Sequence, residues 1–463
     1  MDKVYFIGIG GIGMSALARY FASKGYMVGG YDLTPSPLTE ALEAEGIDIH
    51  YEDDIDLVPE PLRALDTLVV YTPAIPKTHS ELVYYQTHQH RVLKRSEVLG
   101  EITRLERGLC VAGTHGKTTT STLLAHILRQ SHVDCNAFLG GISNNYKTNL
   151  LLSEQSDLVV VEADEFDRSF HRLSPYMAII TSADPDHLDI YGTPEAYRES
   201  FEHFTSLIAP GGALVCHEGL PMTPRLQPGV ALYHYSTEGV SDFYATDIRV
   251  EDARLFFDWH YPSIDGAEAG CIAVELGVPL RINVDNAVAA MAVAYLNGVS
   301  LEELAMAVAS FRGAGRRFDR VVMNNSHVLI DDYAHHPVEL AASIASVRTL
   351  YPDKKILGIF QPHLYSRTND FYREFAQSLD ALDEVILLDI YPARELPMPG
   401  VTSQMIAEVM QNPAVRVMSK AELLPYLQAE ATLPEVLLMV GAGDIDRLVA
   451  PVAELLHQRG GVQ

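Results

Sequence analysis

The feature that most constrains the fold of this chain is a short apolar run, Leu109–Ala112, that leads directly into the sequence GTHGKTTT and then into a predicted helix ending near Arg129. A strand that ends in a Gly-Lys-Thr turn and opens a helix is the arrangement in which backbone N–H groups surround a phosphate. In such a site Lys117 adds a positive charge, and the Thr118 hydroxyl is suited to Mg²⁺. Val111 stands where the usual motif has its first glycine, so the loop is shortened, and a Gly-Lys-Thr turn without a function is the alternative.

Apolar runs alternate with helical segments along the rest of the chain, a pattern that predicts parallel sheets with helices on their faces, the α/β class. Breaks near residues 107 and 312 divide the pattern into three domains, 1–107, 108–312 and 313–463. Short alternating runs between about Ala245 and Leu276 indicate a small antiparallel addition to the second domain, and a helix is predicted over Asn286–Leu296. The other predicted strands are Lys3–Ile9, Tyr26–Tyr31, Leu68–Tyr71, Asp157–Val161, Met177–Thr181, Val328–Ile330, Ile356–Phe360, Glu384–Leu388 and Val436–Val440.

A glycine-rich sequence, GIGGIGMS from Gly8 to Ser15, follows the first strand and opens a helix. Its glycines would let the backbone approach a pyrophosphate at the helix N-terminus. Asp32 ends the next strand, near the place where an acidic residue meets a ribose. This spacing alone is a weak signal. NAD, another nucleotide that carries a diphosphate, and a tight turn of purely structural value all remain open.

Two strands of the second domain end in clusters of polar residues, EADEFD from Glu162 and DPDHLD from Asp184. Carboxylates at the carboxyl end of a strand beside a phosphate loop are well placed for Mg²⁺. Glu162 follows its strand directly, and His187 becomes a candidate ligand or phosphate contact if the neighbouring loop binds ATP. The alternatives are a solvated acidic turn and an ordinary surface histidine.

Two further polar clusters, DDYAHHP from Asp331 and QPHLYSR from Gln361, follow strands of the third domain. Both would lie on the same edge of its sheet. An arginine can bind a carboxylate through two hydrogen bonds, so the clusters predict a pocket for the carboxylate and amine of a small polar molecule. Zinc binding by the histidines is the alternative, although no cysteine completes such a site. The candidate side chains are Tyr333, His335, His363 and Arg367.

The chain is strongly acidic, with 34 Lys and Arg against 61 Asp and Glu and a net charge of −27. That charge repels nucleic-acid backbones and anionic lipid, so neither is an expected partner. No apolar run is long enough to cross a bilayer, and no signal peptide begins the sequence. Four widely separated cysteines are typical of reduced thiols in the cytosol. We expect a cytoplasmic protein, and the sequence is compatible with a monomer or a homodimer.

Two phosphate-binding units and a third polar pocket indicate a reaction with three substrates: a nucleotide-linked molecule, ATP and a small polar molecule. Phosphoryl transfer to an acceptor oxygen is the natural chemistry for ATP on a Gly-Lys-Thr loop. If the acceptor is a carboxylate, the product is an acyl phosphate, which an amine can attack. The residues limit the reaction class in this way and leave the substrates open.

Seven motifs, GIGGIGMS, GTHGKTTT, VEADE, DPDHLD, GRRFD, DDYAHHP and FQPHLYSRT, occur in this order and resemble those of the Mur ligase family over essentially the whole chain. The resemblance implies a Rossmann-like N-terminal domain that binds a UDP-sugar, a central P-loop ATPase-like domain, and a C-terminal Rossmann-like domain that binds an amino acid. Within the family, the chain is similar to the ligases that use ATP and Mg²⁺ to join L-alanine to UDP-N-acetylmuramate in bacterial peptidoglycan synthesis.

The resemblance also implies roles for single residues. Lys117, Glu162 and His187 match catalytic positions, and Thr118, Glu162 and His187 match the magnesium positions. The amino-acid positions are Tyr333, His335, His363 and Arg367. The ATP positions are Gly113, Thr114, His115, Gly116, Lys117, Thr118, Thr119, Asn283, Asn286, Arg317 and Asp332. The UDP-sugar positions are Gly10, Gly11, Ile12, Gly13, Met14, Ser15, Asp32, Thr72, Pro73 and Ala74.

The chain departs from the family at two places. The adenine segment, usually His-Asn-x-x-Asn, begins here with Ile282, so only Asn283 and Asn286 match it. Several related ligases carry a carbamoylated lysine where this sequence has Phe201, so we expect no carbamate.

Three other functions fit part of the sequence. A recycling ligase that adds a tripeptide to UDP-N-acetylmuramate would share nearly every motif of the first two domains, and the segment His363–Arg367 favours alanine over it. An NAD-dependent oxidoreductase would leave the Gly-Lys-Thr loop unexplained. An ATP-dependent switch protein would hydrolyse ATP without needing an amino acid.

Overall fold

The fold is described by a computed structural model, which covers residues 3–186, 188–264, 266, 268–393 and 395–460. It contains three α/β domains, each built on one sheet made largely of parallel strands. This architecture confirms the predicted fold class. Within the described residues, no helix has the length and apolar character that a membrane span requires. All four cysteines are free; Cys271 is exposed and the other three are buried.

The first domain is a five-stranded sheet flanked by helices. Its elements are β1 (Lys3–Ile7), α1 (Ile12–Ser23), β2 (Met27–Tyr31), α2 (Pro37–Ala44), β3 (Asp48–His50), β4 (Leu68–Tyr71), α3 (Ser80–Thr87), β5 (Arg91–Lys94) and α4 (Arg95–Leu105). The strand order is β3-β2-β1-β4-β5, and all pairs are parallel. Along β1, Val4 and Phe6 pack on one face and Tyr5 and Ile7 on the other, because successive strand residues point to opposite faces.

The second domain has a ten-stranded sheet. Its elements are β6 (Arg107–Ala112), α5 (Lys117–Gln130), β7 (Asn136–Phe138), β8 (Leu150–Leu151), β9 (Leu158–Glu162), β10 (Met177–Ile180), α6 (Leu188–Tyr191), α7 (Pro194–Thr205), β11 (Ala213–His217), β12 (Ala231–Ser236), β13 (Phe243–Glu251), β14 (Arg254–Tyr261), β15 (Gly270–Leu276), α8 (Arg281–Leu296) and α9 (Leu301–Ser310). The order is β15-β14-β13-β12-β11-β10-β6-β9-β7-β8. Only two residues join the neighbours β13 and β14, and so short a connection can join only antiparallel strands. The predicted antiparallel addition lies here.

The third domain has a six-stranded sheet. Its elements are β16 (Asp319–Met323), β17 (Val328–Asp332), α10 (Pro337–Leu350), β18 (Ile356–Phe360), α11 (Tyr365–Leu379), β19 (Glu384–Leu387), α12 (Gln404–Ala407), β20 (Val415–Val417), α13 (Lys420–Ala429), β21 (Val436–Val440) and α14 (Asp446–Arg459). The order is β16-β17-β21-β18-β19-β20. β16 runs antiparallel to β17, and the pairs from β17 to β20 are parallel. Every residue of β18 and β21 is buried, as expected for parallel strands covered on both faces.

By its internal contacts the chain divides into two compact units. The first comprises Met1–Ile248, Phe257–Leu276 and Asn283–Phe311, so it holds the first sheet and most of the second. The second comprises Arg249–Phe256, Gly277–Ile282 and Arg312–Gln463. Each unit is treated separately below.

A buried group of titratable side chains lies between α3 and one face of the first sheet. Glu81 has no solvent exposure, and its Oε2 accepts a 2.7 Å hydrogen bond from the Tyr5 hydroxyl. His50 Nε2 lies 2.8 Å from the same hydroxyl. Burial raises the pKa of Glu81 to about 8, although the bond from Tyr5 opposes the shift. Glu81 is therefore mostly protonated at neutral pH in the folded protein.

The raised pKa of Glu81 predicts that the folded protein loses stability between pH 7 and pH 8. In this range the folded form holds a proton that the unfolded chain has already released, so raising the pH favours unfolding by about 1 kcal/mol over this pH unit. We expect Glu81→Gln to remove this pH dependence of the free energy of unfolding, because an amide does not titrate. Urea denaturation of both proteins at pH 7 and pH 8 measures the difference. Equal slopes in the two proteins would show that Glu81 does not carry the proton.

Candidate functional site

The predicted site segments lie at the carboxyl ends of parallel strands. In the first two sheets they follow β1, β2, β4, β6, β9 and β10; in the third they follow β17 and β18. Ligands of open α/β sheets bind at this edge, since loops there are free to carry polar groups while the strands stay apolar. The topology therefore brings each predicted cluster to the face of its sheet where a site can form.

The phosphate loop between β6 and α5 is held in a conformation that only glycine tolerates. Gly113 has φ +141° and Gly116 has φ +80°. A Cβ on Gly113 would lie 2.0 Å from Thr181 Oγ1, so the loop packs directly on the turn after β10. The His115 N–H donates to Ser182 Oγ at 2.9 Å, and the Thr114 hydroxyl donates to the Asp184 carbonyl at 2.7 Å.

The Lys117 ammonium is enclosed by acceptors at the start of α5. It donates to the Gly113 carbonyl at 2.6 Å and lies 2.8 Å from Glu165 Oε2. Glu165 is buried, with 2% exposure, and burial raises its pKa while Lys117 lowers it. Glu165 therefore gives Lys117 the negative partner that a bound phosphate would otherwise provide.

The two asparagines assigned to adenine lie on the first turns of α8, which begins at Arg281, five residues before the predicted start. Asn286 Oδ1 accepts a 2.9 Å hydrogen bond from the Thr120 hydroxyl, and its Nδ2 donates to Asn283 Oδ1 at 3.0 Å. A Cβ on Gly116 would lie 2.6 Å from Asn286 Oδ1. Asn286 therefore packs directly against the phosphate loop at Gly116. Ile282, in the place of the family histidine, is 51% exposed.

The candidate magnesium position at Glu162 has a buried oxygen available for a ligand. Glu162 ends β9, and its Oε2 is buried with no hydrogen-bond partner among the described residues. A carboxylate oxygen in this state suits a cation. Thr118 is buried on the first turn of α5, and Thr119 is half-buried. His187, the third predicted ligand, lies outside the described residues. The parts of the donor set that the structure describes fit Mg²⁺.

The glycine-rich loop after β1 packs closely against neighbouring side chains. The Gly10 N–H donates to Asp32 Oδ2 at 2.7 Å, so Asp32 holds the loop. A Cβ on Gly13 would lie 2.5 Å from the Arg95 guanidinium. Ser15 is fully buried, and its hydroxyl accepts a 3.0 Å bond from Asn149 of the second domain. Pro73 and Ala74, also predicted here, are exposed in the turn after Thr72.

A cavity of about 270 Å³ joins the glycine-rich loop to the end of β9. One wall carries the first turn of α1 and the opposite wall carries two carboxylates, with Arg95 between them; Arg95 lies 3.4 Å from Asp164. The lining residues are Gly11, Ile12, Gly13, Met14, Thr72, Arg95, Leu99, Phe138, Leu139, Gly140, Glu162 and Asp164. A molecule anchored on the glycine-rich loop can therefore present its far end to Glu162, one strand away from the phosphate loop.

In the third domain, Tyr333 is packed between two arginines. Their guanidinium carbons lie 4.9 Å (Arg316) and 4.8 Å (Arg317) from its ring centre. Arg316 donates to the Gly441 carbonyl at 2.6 Å and so anchors the segment. Asp332 accepts from the Phe318 N–H at 3.4 Å, and burial raises its pKa. Arg317 therefore lies beside both Tyr333 and Asp332, so a residue predicted for the amino acid and two predicted for ATP are neighbours.

The four predicted amino-acid residues lie together. The His335 ring meets Tyr333 at 5.4 Å and His363 at 5.8 Å between centres. Burial lowers the pKa of His335, and the Arg367 charge adds to that shift while Glu339 opposes it. One terminal nitrogen of Arg367 is buried with no hydrogen-bond partner in the described part of the chain. A guanidinium in this state suits a ligand carboxylate.

Several site residues were not predicted. Glu165 stood in the EADE cluster, and only the structure shows that it pairs with Lys117 rather than joining Glu162. Arg95 and Gly140 carried no local signal, because their roles depend on contact with another segment. Tyr391 stacks on His363 at 5.7 Å between ring centres, and it too comes from a distant loop.

Phe201, which stands where several related ligases carry a carbamoylated lysine, is fully buried beside Phe170.

Models of three protein-family domains match almost the entire chain. They are the Mur ligase family catalytic domain over residues 3–107, the Mur ligase middle domain over 111–294, and the Mur ligase glutamate ligase domain over 316–443.

Eight relatives that are 45% to 65% identical to this chain carry the same name. A UDP-N-acetylmuramate–L-alanine ligase of Porphyromonas gingivalis is 65% identical over 459 residues, covering 99% of both chains. One of Flavobacterium johnsoniae is 46% identical over 458 residues, covering 99% of this chain and 98% of the relative. The crystal structure of a UDP-N-acetylmuramate–alanine ligase from Thermotoga maritima superposes with a TM-score of 0.83 at 28% identity, covering 99% of both chains. The chain belongs to the Mur ligase family.

Proposed function

We propose that this chain joins L-alanine to the carboxyl group of UDP-N-acetylmuramate, with cleavage of ATP to ADP and phosphate. The observation that supports the substrates is 65% identity, over 99% of the chain, to a relative that bears the name of this activity. The geometry supports the reaction class: a glycine-rich loop and a phosphate loop lie on either side of the Glu162 carboxylate, and a third domain carries an arginine suited to a carboxylate. We propose the bacterial cytoplasm as its location and peptidoglycan precursor synthesis as its role.

We assign one substrate to each of the three predicted domains. Residues 1–107 would bind the UDP-sugar through the glycine-rich loop, with its pyrophosphate at the N-terminus of α1. Residues 108–312 would bind ATP on the phosphate loop. Residues 313–463 would bind alanine, with Arg367 on its carboxylate and the His335 and His363 rings beside it. Arg317 and Asp332 would contact ATP from the third domain.

The reaction would proceed through an acyl phosphate. The muramyl carboxylate would attack the γ-phosphoryl group of ATP, and ADP would leave. The alanine ammonium would lose a proton to solvent, and the resulting amine would attack the acyl carbon and displace phosphate. Lys117 would leave Glu165 for the phosphoryl oxygens and stabilise the negative charge that spreads over them. Thr118, Glu162 and His187 would hold Mg²⁺, which neutralises phosphate charge when bound. Burial keeps the His335 ring neutral at physiological pH, so it does not repel the incoming ammonium.

The experiment that tests the proposal is phosphate release with ATP, Mg²⁺ and UDP-N-acetylmuramate. L-Alanine, glycine, L-serine and the tripeptide L-alanyl-γ-D-glutamyl-meso-diaminopimelate are compared as amines. We expect release to require the nucleotide sugar, to be fastest with alanine, and to yield a product heavier by one alanyl unit. Release with the tripeptide alone would reassign the chain to recycling. Phosphate release without any amine would show that the chain is an ATPase and contradict the proposed ligation.

The tight packing of Gly140 against Glu162 gives a prediction for the metal site. A Cβ at Gly140 would lie 2.0 Å from Glu162 Oε2, so Gly140→Ala must push the carboxylate out of position. Because misplacing a reacting group by about 1 Å costs about 100-fold, we expect the ligation rate to fall about 10- to 100-fold while the melting temperature changes little. Gly239→Ala is the matched control, since a Cβ there meets nothing within 4 Å. Full activity of Gly140→Ala would mean that the reaction does not need Glu162 in this position.

A further inference from the structure

A second cavity in the first compact unit has no part in the proposed reaction. It measures about 480 Å³ and lies between the start of α4 and the segment Phe166–Arg172. It shares no lining residue with the cavity beside Glu162. Two serines line it together with Lys94, Asp167, Arg168, His171, Arg172 and His203.

The charge of this lining is opposite to that of the chain. Three of the residues are cationic and one is anionic, in a protein with a net charge of −27. The single carboxylate, Asp167, is already occupied, because Lys94 Nζ donates to it at 2.6 Å. Within the described part of the chain, no ion pair joins Arg168 or Arg172 to a carboxylate. Two guanidinium groups are therefore available at the cavity.

The backbone and a neighbouring ring position Arg168, and a pair of histidine rings packs beside the cavity. Asp167 and Arg168 both have left-handed backbone, with φ of 53° and 51°, a conformation that is unfavourable for residues other than glycine. The Arg168 guanidinium lies 5.1 Å from the centre of the Tyr191 ring. On the other side, His171 Nε2 is bonded to Ser200, and the His203 ring meets His171 edge-on at 4.5 Å. The cavity is thus a concave surface with cations from both segments, Lys94 at the start of α4 and Arg168 and Arg172 on the segment Phe166–Arg172.

We propose that this cavity binds a phosphate-bearing anion of the pyrophosphate class, at a site separate from both the phosphate loop and the glycine-rich loop. Paired guanidinium groups bind phosphate oxygens through charge-assisted, often bidentate hydrogen bonds. Histidine rings and serine hydroxyls supply further hydrogen-bond donors. The cavity is large enough for two linked phosphates.

The site is positioned to influence the phosphate loop. The segment Phe166–Arg172 follows directly on Glu165, the partner of Lys117. The Arg168 N–H donates to the Glu165 carbonyl at 2.9 Å, and Lys94 ties the same segment to the first domain through Asp167. An anion that draws Arg168 and Lys94 toward itself acts on the segment that holds Glu165.

The test is a pyrophosphate titration of the full chain, without divalent metal, followed by NMR of labelled histidine rings. His203→Asn assigns one of the two signals. We expect the His171 and His203 signals to move and saturate in the wild-type protein and in Lys117→Ala, which removes the phosphate-loop cation. Sodium chloride at the same ionic strength should not reproduce the movement.

Arginine variants make the test decisive. We expect the double variant Arg168→Ala/Arg172→Ala to need at least ten times more pyrophosphate, and the double lysine variant to retain part of the affinity. Arg104→Ala, an exposed arginine of α4, is the matched control and should titrate like the wild type. An unchanged His126 signal verifies folding. An equal midpoint in the double alanine variant, or no movement at millimolar pyrophosphate, would overturn the proposal.

Discussion

Lys117→Ala is expected to lower the rate of ligation by about 100- to 1000-fold, because it removes the side-chain cation held at the start of the phosphate-loop helix. Binding of UDP-N-acetylmuramate should change little, since its proposed anchor is the glycine-rich loop of the first domain. Steady-state phosphate release measures the rate, and calorimetry with the nucleotide sugar alone measures the binding. The change also leaves Glu165 buried without its partner, which costs stability.

Two control variants separate the effect of the lost Lys117 charge from the effect of lost stability. Lys117→Ala/Glu165→Gln removes the unpaired buried carboxylate, so it should recover stability and remain inactive. Lys355→Ala replaces an exposed lysine of the third domain and should keep full activity. Weak binding of UDP-N-acetylmuramate by Lys117→Ala would contradict the separation of the two sites.

Arg367→Ala is expected to raise the KM for L-alanine by about 100-fold or more, with a much smaller effect on the KM for ATP. A charge-assisted hydrogen bond in a buried site is worth about 1.5–3 kcal/mol, which corresponds to about 10- to 150-fold, and a bidentate pair adds to this. The observation behind the expectation is the buried Arg367 nitrogen that has no partner in the described residues. Initial rates over a range of alanine and ATP concentrations give both constants.

Arg373→Ala is the matched control for Arg367, because it lies on the same helix, α11, with its side chain against Tyr372 at the surface. It should leave both constants unchanged. Arg367→Lys keeps the charge and loses the planar fork, so we expect an intermediate KM for alanine. Equal increases in the two constants for Arg367→Ala would move this residue out of the amino-acid pocket.

The fold was largely predictable because its signals are local. Apolar runs bounded by glycine and polar residues marked the buried strands, and Ile356–Phe360 and Val436–Val440 match the structure to the residue. The start of α8 was predicted five residues late, since polar residues on its first turns break the apolar pattern. They do so because Asn283 and Asn286 face a hydrogen-bond network rather than a core.

The candidate site was predictable where one motif supplies a whole element of it, as at the phosphate loop and the glycine-rich loop. It was not predictable where two segments must meet. The partner of Lys117 was one of three neighbouring carboxylates, and only packing against α5 selects Glu165. The hydrogen bond from the Gly10 N–H to Asp32 Oδ2 was not predicted, and the expected contact of Asp32 with a ribose stays a prediction. The roles assigned to single residues through family resemblance stay predictions.

The contact between Asn286 and Gly116 bears on how base selectivity in this protein should be understood. Asn286 lies in the segment that the family uses for adenine, but its amide is bonded to Thr120 and Asn283 and lies directly under the loop that would hold the triphosphate. A side chain used in this way shapes the phosphate cradle, and its oxygen and one of its N–H groups are already bonded within the protein. Variants at this position should therefore weaken the binding of ATP, GTP and inorganic triphosphate to the same degree. We expect discrimination among purine bases to arise from other residues.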